Sequence, residues 1–254
     1  MIAISLQSGS NGNCIYLEAG GMRLLFDAGI SGRRARKRLA SHNRDINEVD
    51  ALIVSHDHSD HVRSAGIYHR MFEVPLYMTR GTAEQSRTGL GRIAGIHQFA
   101  AGQKLSFGPL RVETWPTPHD ASDGVVFVVS HGNKRLGILT DLGHPFEELP
   151  GILAELDAVI IESNYDPDML EFGPYPPFLK DRIRGPRGHV SNREAARLLR
   201  DCASSRLQWA CLGHLSEKNN RPELALGTHR EALGDALPLL VAGRYGVSPV
   251  LTVD

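Results

Sequence analysis

Three imidazoles and two carboxylates fall within six residues at His56-Asp-His-Ser-Asp-His61, the pattern H-x-H-x-D-H. Imidazole nitrogen and carboxylate oxygen are the ligands that Zn²⁺, Mn²⁺ and Fe accept. The cluster directly follows Ala51-Leu-Ile-Val54, an apolar run that reads as a short buried strand. His56 and His58 stand two apart, so both can leave a strand end on the same side. Asp60 and His61 lie on the turn that follows and can point to a second centre. A solvated polar loop is a poor alternative, because turns favour Gly, Asn, Asp and Ser over three histidines.

The elements that must position this cluster are strands. Ile2–Leu6 and Cys14–Leu17 flank the turn-rich Ser8-Gly-Ser-Asn-Gly-Asn13, and Arg23–Phe26 leads to Asp27. Arg33–Ala40 reads as a helix behind Ser31. Val74–Met78, Lys104–Phe107 and Leu110–Thr114 read as strands, and Val125–Ser130 with Arg135–Thr140 as a hairpin around His131-Gly-Asn133. Asp157–Ile161 and Leu207–Leu212 are further buried strands. Ser191-Asn-Arg-Glu194 is a capping box opening a helix, and Leu224–Leu233 is a helix with Pro222 in its first turn. Four buried runs end in a group able to bind metal or move protons: Val54 before His56, Thr140 before Asp141, Ile161 before Glu162, and Leu212 before Gly213-His214. His119 follows the strand at Arg111–Thr114 in the same way. Strand ends converge on one edge of a core, where active sites collect.

Bulk composition sets bounds. The 254 residues carry 41% hydrophobic and 22% charged side chains, enough for a sizeable core, and a net charge of −1. Any anionic partner must therefore be held by a local patch. Cys14, Cys202 and Cys211 are an odd, widely spaced set without C-x-x-C, read as free thiols packed in a core in a reducing compartment. No apolar run is long enough to span a bilayer, and Met1-Ile-Ala-Ile-Ser-Leu6 reads as a strand, not a signal segment. The expectation is one cytoplasmic domain over residues 1–254, with no membrane partner; oligomeric state is not readable.

The ordered set Asp27, His56–His61, His119, Asp141 and His214 resembles the metallo-β-lactamase superfamily over residues 1 to about 220. The finer pattern is similar to its YycJ/WalJ branch, whose known member is a DNA exonuclease. The matching phrases are Ser8-Gly-Ser-Asn-Gly-Asn-Cys14, Pro118-His-Asp-Ala121, Ile161-Glu-Ser-Asn164, Gly188-His-Val-Ser-Asn192 and His214-Leu-Ser-Glu-Lys-Asn-Asn220. The pairing of Glu162 with His189 also resembles ribonuclease Z. One departure is Tyr165, where the resemblance leads one to expect a His.

The resemblance implies an αββα sandwich, two mixed sheets with helices on the outer faces. It also implies two divalent ions, Zn or Mn, with Fe acceptable. His56, His58 and His119 would hold the first and Asp60, His61 and His214 the second, with Asp141 bridging and Asp27 supporting by hydrogen bonds. The implied function is a phosphodiester hydrolase, a nuclease of the DNA-exonuclease kind. A metal-bridging hydroxide would be the nucleophile, Asp60 would orient it, and His189, steadied by Glu162, would protonate the leaving oxygen. The alternative is a small-molecule hydrolase of the same fold: a cyclic phosphodiesterase, thioesterase or lactonase.

Nucleic acid is the expected substrate because of Lys180-Asp-Arg-Ile-Arg-Gly-Pro-Arg187, whose Lys180, Arg182, Arg184 and Arg187 lead into His189 and are expected to hold phosphates. Arg33–Arg38 is a second basic run that a solvated helix face explains equally well. Tyr165, Phe172, Tyr175 and Phe178 could stack on bases, with packing in a lid the favoured reading. His42, His69, His97, His131, His144 and His229 are assigned to surface, loop or core roles.

Overall fold

A computed structural model describes the whole chain, residues 1–254. The first sheet collects β1 (Ile2–Gln7), β2 (Cys14–Ala19), β3 (Met22–Phe26), β4 (Ala51–Ile53), β5 (Leu76–Thr79) and β6 (His97–Phe99) in chain order. The second collects β7 (Lys104–Phe107), β8 (Leu110–Pro116), β9 (Val125–His131), β10 (Lys134–Leu139), β11 (Ala158–Glu162), β12 (Trp209–Gly213) and β13 (Leu239–Val241). A last strand, β14 (Leu251–Thr252), returns to the first sheet beside β1. Each sheet is antiparallel in its first part and parallel from β3 or β10 onward.

Strand alternation builds three apolar layers. Leu24 and Phe26 of β3 and Val125, Phe127 and Val129 of β9 point between the sheets, into a core of 25 buried residues. Phe26 and Phe127 meet there with ring centroids 5.0 Å apart. Their in-between neighbours point outward, because successive side chains alternate faces. Leu25 joins Ala35 and Leu39 of α1 (Gly32–Ala40) and Tyr68 and Phe72 of a helix over Ala65–Phe72. On the other side Val126 and Val128 join Leu149, Ile152 and Leu153 of a helix over Leu149–Ala154, and Ala195 and Leu199 of a helix over Asn192–Cys202. The result is the αββα sandwich.

Most expected elements are present, with shifted ends. The strand read at Val74–Met78 starts at Leu76, past Pro75, which has no N–H to give a ladder. The Lys134–His131 pairing closes the expected hairpin. Ser191 caps its helix with the full box: its hydroxyl takes the Glu194 amide, and Glu194 Oε2 takes the Ser191 amide at 2.8 Å. Such a cap is worth about 1 kcal/mol and fixes the exit of the His189 loop. Cys14 and Cys211 are buried in the core and Cys202 is half-buried, all as free thiols. No helix is long and apolar enough to cross a membrane.

Candidate metal centre

The site lies where parallel strands end. Asp27 follows β3, His56 follows β4, Asp141 follows β10, Glu162 ends β11 and His214 follows β12, while His119 sits on the loop after β8. Asp27, Asp141 and His214 take left-handed backbone angles, with φ of 64, 58 and 54 degrees. Such a conformation costs a non-glycine residue about 1–3 kcal/mol and here turns each chain back just after its strand. Two glycines let the loops close in. A Cβ at Gly29 would overlap the Asp60 carbonyl, and one at Gly143 would overlap the Pro118 carbonyl.

The structure brings together every site residue read from the sequence. One nitrogen of each of five histidines is anchored to the protein. His56 Nδ1 lies 2.9 Å from Ser55 Oγ, His61 Nδ1 2.8 Å from Asp27 Oδ2, and His119 Nδ1 2.8 Å from the Gly188 carbonyl. His58 Nε2 lies 3.2 Å from the Asp120 carbonyl and His214 Nδ1 3.1 Å from Glu162 Oε1. In a neutral ring, the state a metal ligand needs, an anchored N–H leaves the opposite nitrogen with a lone pair. Those opposite nitrogens converge. His58 Nδ1 and His119 Nε2 stand 3.3 Å apart, and His214 Nε2 stands 3.3 Å from Asp60 Oδ2.

Donor atoms of His56, His58 and His119 lie within 4.8 Å of one another, as do those of Asp60, His61 and His214. Asp141 stands between the groups: Oδ2 is 3.2 Å from His61 Nε2, and Oδ1 is 3.7 Å from His119 Nε2 and 3.4 Å from His214 Nδ1. Buried His56 Nε2 and Asp141 Oδ2 have no hydrogen-bond partner. Orphaned buried polar atoms are costly, and cations bound between these donors would satisfy them. The donor set therefore fits divalent ions of the N/O-binding kind.

The electrostatics agree. Burial, reinforced by the neighbouring histidines, pushes His56 well below its ordinary range, so it is neutral as a ligand must be. Burial likewise lowers His119. For His61, burial is outweighed by Asp27, Asp141 and Asp60, which hold it well above its ordinary value. Burial is also outweighed at His214, which Asp141, Asp60 and Glu162 raise to about 10. Protons occupy these two rings where cations would otherwise balance the carboxylates. Glu162 is fully buried, which alone would raise its carboxyl; the charge and hydrogen bond of His189, then His214, hold it well below the carboxylate range.

His189 completes the site. Its Nδ1 donates to Glu162 Oε1 at 2.7 Å, and its Nε2 makes no hydrogen bond within the chain. Its ring lies 5.0 Å from that of His119 and 5.2 Å from that of His214, between the two donor groups. The second Glu162 oxygen takes the Leu142 amide at 2.9 Å. His58, Asp60, His119, Asp141, His189 and His214 line a cavity of about 210 Å³, which Tyr175, Leu179 and Arg182 also line.

Within the basic run, two of the four cations are paired with carboxylates and two donate to carbonyls. Lys180 donates to the Glu171 carbonyl, and Arg184 pairs with Glu171 at 3.0 Å and Asp181 at 2.9 Å. Arg182 pairs with Asp120 at 2.6 Å, and Arg187 donates to the His119 carbonyl at 3.3 Å. Of the four, only Arg182 lines the cavity. The helix that carries three of them, Pro177–Arg184, buries no side chain. Phe172 and Phe178 are exposed rather than packed in a lid, while Tyr165 is buried and lines no part of the cavity. Arg33, Arg34, Arg36 and Lys37 form an exposed helix face, as the plain reading of that run has it.

Sequence reasoning assigned no role to several supports. Asn13 Nδ2 reaches His61 Nε2 at 2.9 Å and Asp60 Oδ2 at 3.2 Å. Ser55 Oγ joins Asp27 to His56, and Asn164 Nδ2 donates to the His214 carbonyl at 2.8 Å. Asn13 and Asn164 stand in phrases already singled out, so the signal was present without its meaning. Asp57 faces away and accepts the Ser122 amide at 2.9 Å. His42, His69, His97, His131, His144 and His229 are outside the donor groups.

The Beta-lactamase superfamily domain matches residues 22–209. Exodeoxyribonuclease YycJ of Bacillus anthracis is 33% identical over 222 residues, 87% of this chain and 84% of that protein. Exodeoxyribonuclease WalJ of Streptococcus pneumoniae serotype 2 is 35% identical over 235 residues, 91% of this chain and 87% of that protein. Among solved structures, the metallo-beta-lactamase fold protein YhfI of Bacillus subtilis superposes with a TM-score of 0.73 at 16% identity, covering 97% of this chain and 98% of that one. Matches this extensive, over a sandwich whose strand ends gather the whole donor set, place the chain in the metallo-β-lactamase superfamily of hydrolases, within the branch that holds YycJ and WalJ.

Proposed function

We propose that the chain is a dinuclear metal-dependent nuclease, an exonuclease acting on DNA, working as a single domain over residues 1–254. The observation that carries this reading is His189, held by buried Glu162 between two groups of metal donors with its Nε2 open to the cavity. The names of the two relatives favour DNA over other phosphodiesters.

His56, His58 and His119 would hold one ion, Asp60, His61 and His214 the other, and Asp141 both. Two divalent ions held there would supply Lewis-acid polarisation of a phosphodiester and a water of near-neutral pKa. Zn and Mn both suit such ligands, and Fe is acceptable. Asp60, steadied by Asn13 and His214, orients the attacking water. His189 gives a proton from Nε2 to the leaving oxygen. Glu162 takes the Nδ1 hydrogen bond, fixes the ring and balances its charge. Tyr175, Leu179 and Arg182 limit access to the reacting centre.

The test is cleavage of 5′- and 3′-labelled single- and double-stranded DNA and RNA across Zn, Mn and Fe. Release of mononucleotides from one end of DNA is expected. Brisk hydrolysis of a lactone or thioester, with no cleavage of any nucleic acid, would leave only the fold and the donor set standing.

A further inference from the structure

A second cavity, of about 370 Å³, opens beside the metal centre and shares Ser216 with the central cavity. It is built from two sequence phrases that supply the donor set with only His214. Ser8 comes from the first loop; Leu215, Ser216, Glu217 and Asn220 come from the loop after β12. Val241, Ala242, Gly243 and Arg244 close it from the end of β13. Leu215, Val241 and Ala242 make one wall apolar. Asn220 is fully committed to holding the loops, with its Nδ2 on the Ser163 and Asn164 carbonyls at 2.8 and 3.0 Å.

Arg244 sets the chemistry. It makes no salt bridge, unlike Arg182 and Arg184. Its guanidinium donates to the Leu215 carbonyl and makes long contacts of 3.4 and 3.5 Å to Ser10 Oγ. Ser10 in turn lines the central cavity, so the cation stands on the boundary between the two. The next residue, Tyr245, is 69% exposed, and its hydroxyl donates to Glu217 at 2.6 Å. The Glu217 carboxylate also lines the cavity but makes no salt bridge to Arg244 and is taken up by Tyr245; a half-buried cation in no ion pair beside an apolar wall is the pairing that holds a nucleotide's phosphate and its sugar and base.

We propose that this cavity is a nucleotide subsite flanking the scissile bond. Arg244 and Ser216 take the phosphate next to the one being cleaved, and the Leu215–Val241–Ala242 wall takes its sugar and base. The inference rests on the nuclease reading and names where the strand continues beyond the metal centre.

The experiment compares DNA oligonucleotides with bis-p-nitrophenyl phosphate, which reaches only the centre, in the wild type, Arg244→Ala, Arg244→Lys and Val241→Phe. Isothermal titration with thymidine 5′-monophosphate supplies a readout independent of turnover. Losing a charge-assisted hydrogen bond should raise KM for the oligonucleotide about 10-fold or more and weaken the monophosphate in step. Arg244→Lys should recover part of the loss, Val241→Phe should weaken both ligands by filling the cavity, and the small diester should be hydrolysed as before. Equal losses on both substrates, with ions lost, would make Arg244 a mere brace of the Leu215 loop. Wild-type values for both variants, Arg244→Ala and Val241→Phe, on a DNA that the wild type cleaves would remove the subsite and leave the nuclease reading intact. A wild type that hydrolyses the small diester but no nucleic acid would overturn the nuclease reading itself, and the subsite with it.

Discussion

Glu162 grips His189 through a 2.7 Å hydrogen bond while lying fully out of solvent at the end of β11. A buried carboxylate so placed fixes both the ring plane and the nitrogen that faces the cavity. His189→Ala should lower kcat on DNA by about 10²–10⁴-fold and leave ion content unchanged. The loss should shrink on a p-nitrophenyl phosphodiester, whose leaving group needs no proton. Glu162→Gln should behave differently: it also releases His214 Nδ1, so ions as well as turnover should fall. Identical losses for His189→Ala on both substrates would assign His189 to binding or architecture.

Asp141 touches both donor groups, at 3.2 Å from His61 and 3.7 Å from His119. Asp141→Ala should therefore reduce bound metal towards zero per chain, where His58→Ala should spare one ion. Elemental analysis after gel filtration reads this directly. Retention of one full equivalent by Asp141→Ala would break the bridging assignment.

Arg182 and Arg184 are two residues apart but differ in environment. Arg182 pairs with Asp120 on the cavity wall, while Arg184 is tied to Glu171 and Asp181. Arg182→Ala should raise KM for DNA several-fold and flatten its dependence on salt. Arg184→Ala should change KM little, since its exposed ion pairs with Glu171 and Asp181 are weak and it does not line the cavity. Salt titrations of KM for the two variants side by side decide the matter; the reverse ranking would mean that DNA runs across the outer face of the helix.

Stability without metal should depend on pH in a defined direction. His214 is raised from 6.5 to about 10, so its contribution is complete below 6.5 and disappears as pH climbs through 10. Burial alone would raise the Asp60 carboxyl and that of Glu162; histidine partners outweigh it and depress both, so their contribution fades only as pH falls below their ordinary 3.8 and 4.5. Burial lowers His56 and His119, so their contribution is lost as pH falls below 6.5; the chelated protein should therefore have its highest Tm at about pH 6.5 and lose stability towards pH 10. With Zn or Mn bound, the alkaline loss should largely vanish, because cations replace the protons. Thermal melts in chelator and in metal across this range test it. A chelated Tm that climbs from pH 6.5 to 10 would contradict the sign.

The donor set was legible because chemistry and spacing coincide. H-x-H-x-D-H follows a buried strand, and each later ligand follows another. The supports were less legible because they depend on approach in space. Asp27 meets Ser55 across 28 residues, and Glu162 meets His214 across 52. The edge strands β6, β13 and β14 were missed because two or three partly exposed residues carry no clear alternation. The basic run was only partly legible for a physical reason: sequence counts cations, but Glu171, Asp181 and Asp120 decide which of them are paired.

The left-handed turns at Asp27, Asp141 and His214 bear on protein design. Those three side chains are aimed by the path of the backbone, not merely by choice of rotamer. Copying the ligand side chains onto another sandwich would not reproduce the centre unless the three strand-end reversals came with them. The transferable unit is the strand, its reversal and the donor or supporting side chain that follows, together.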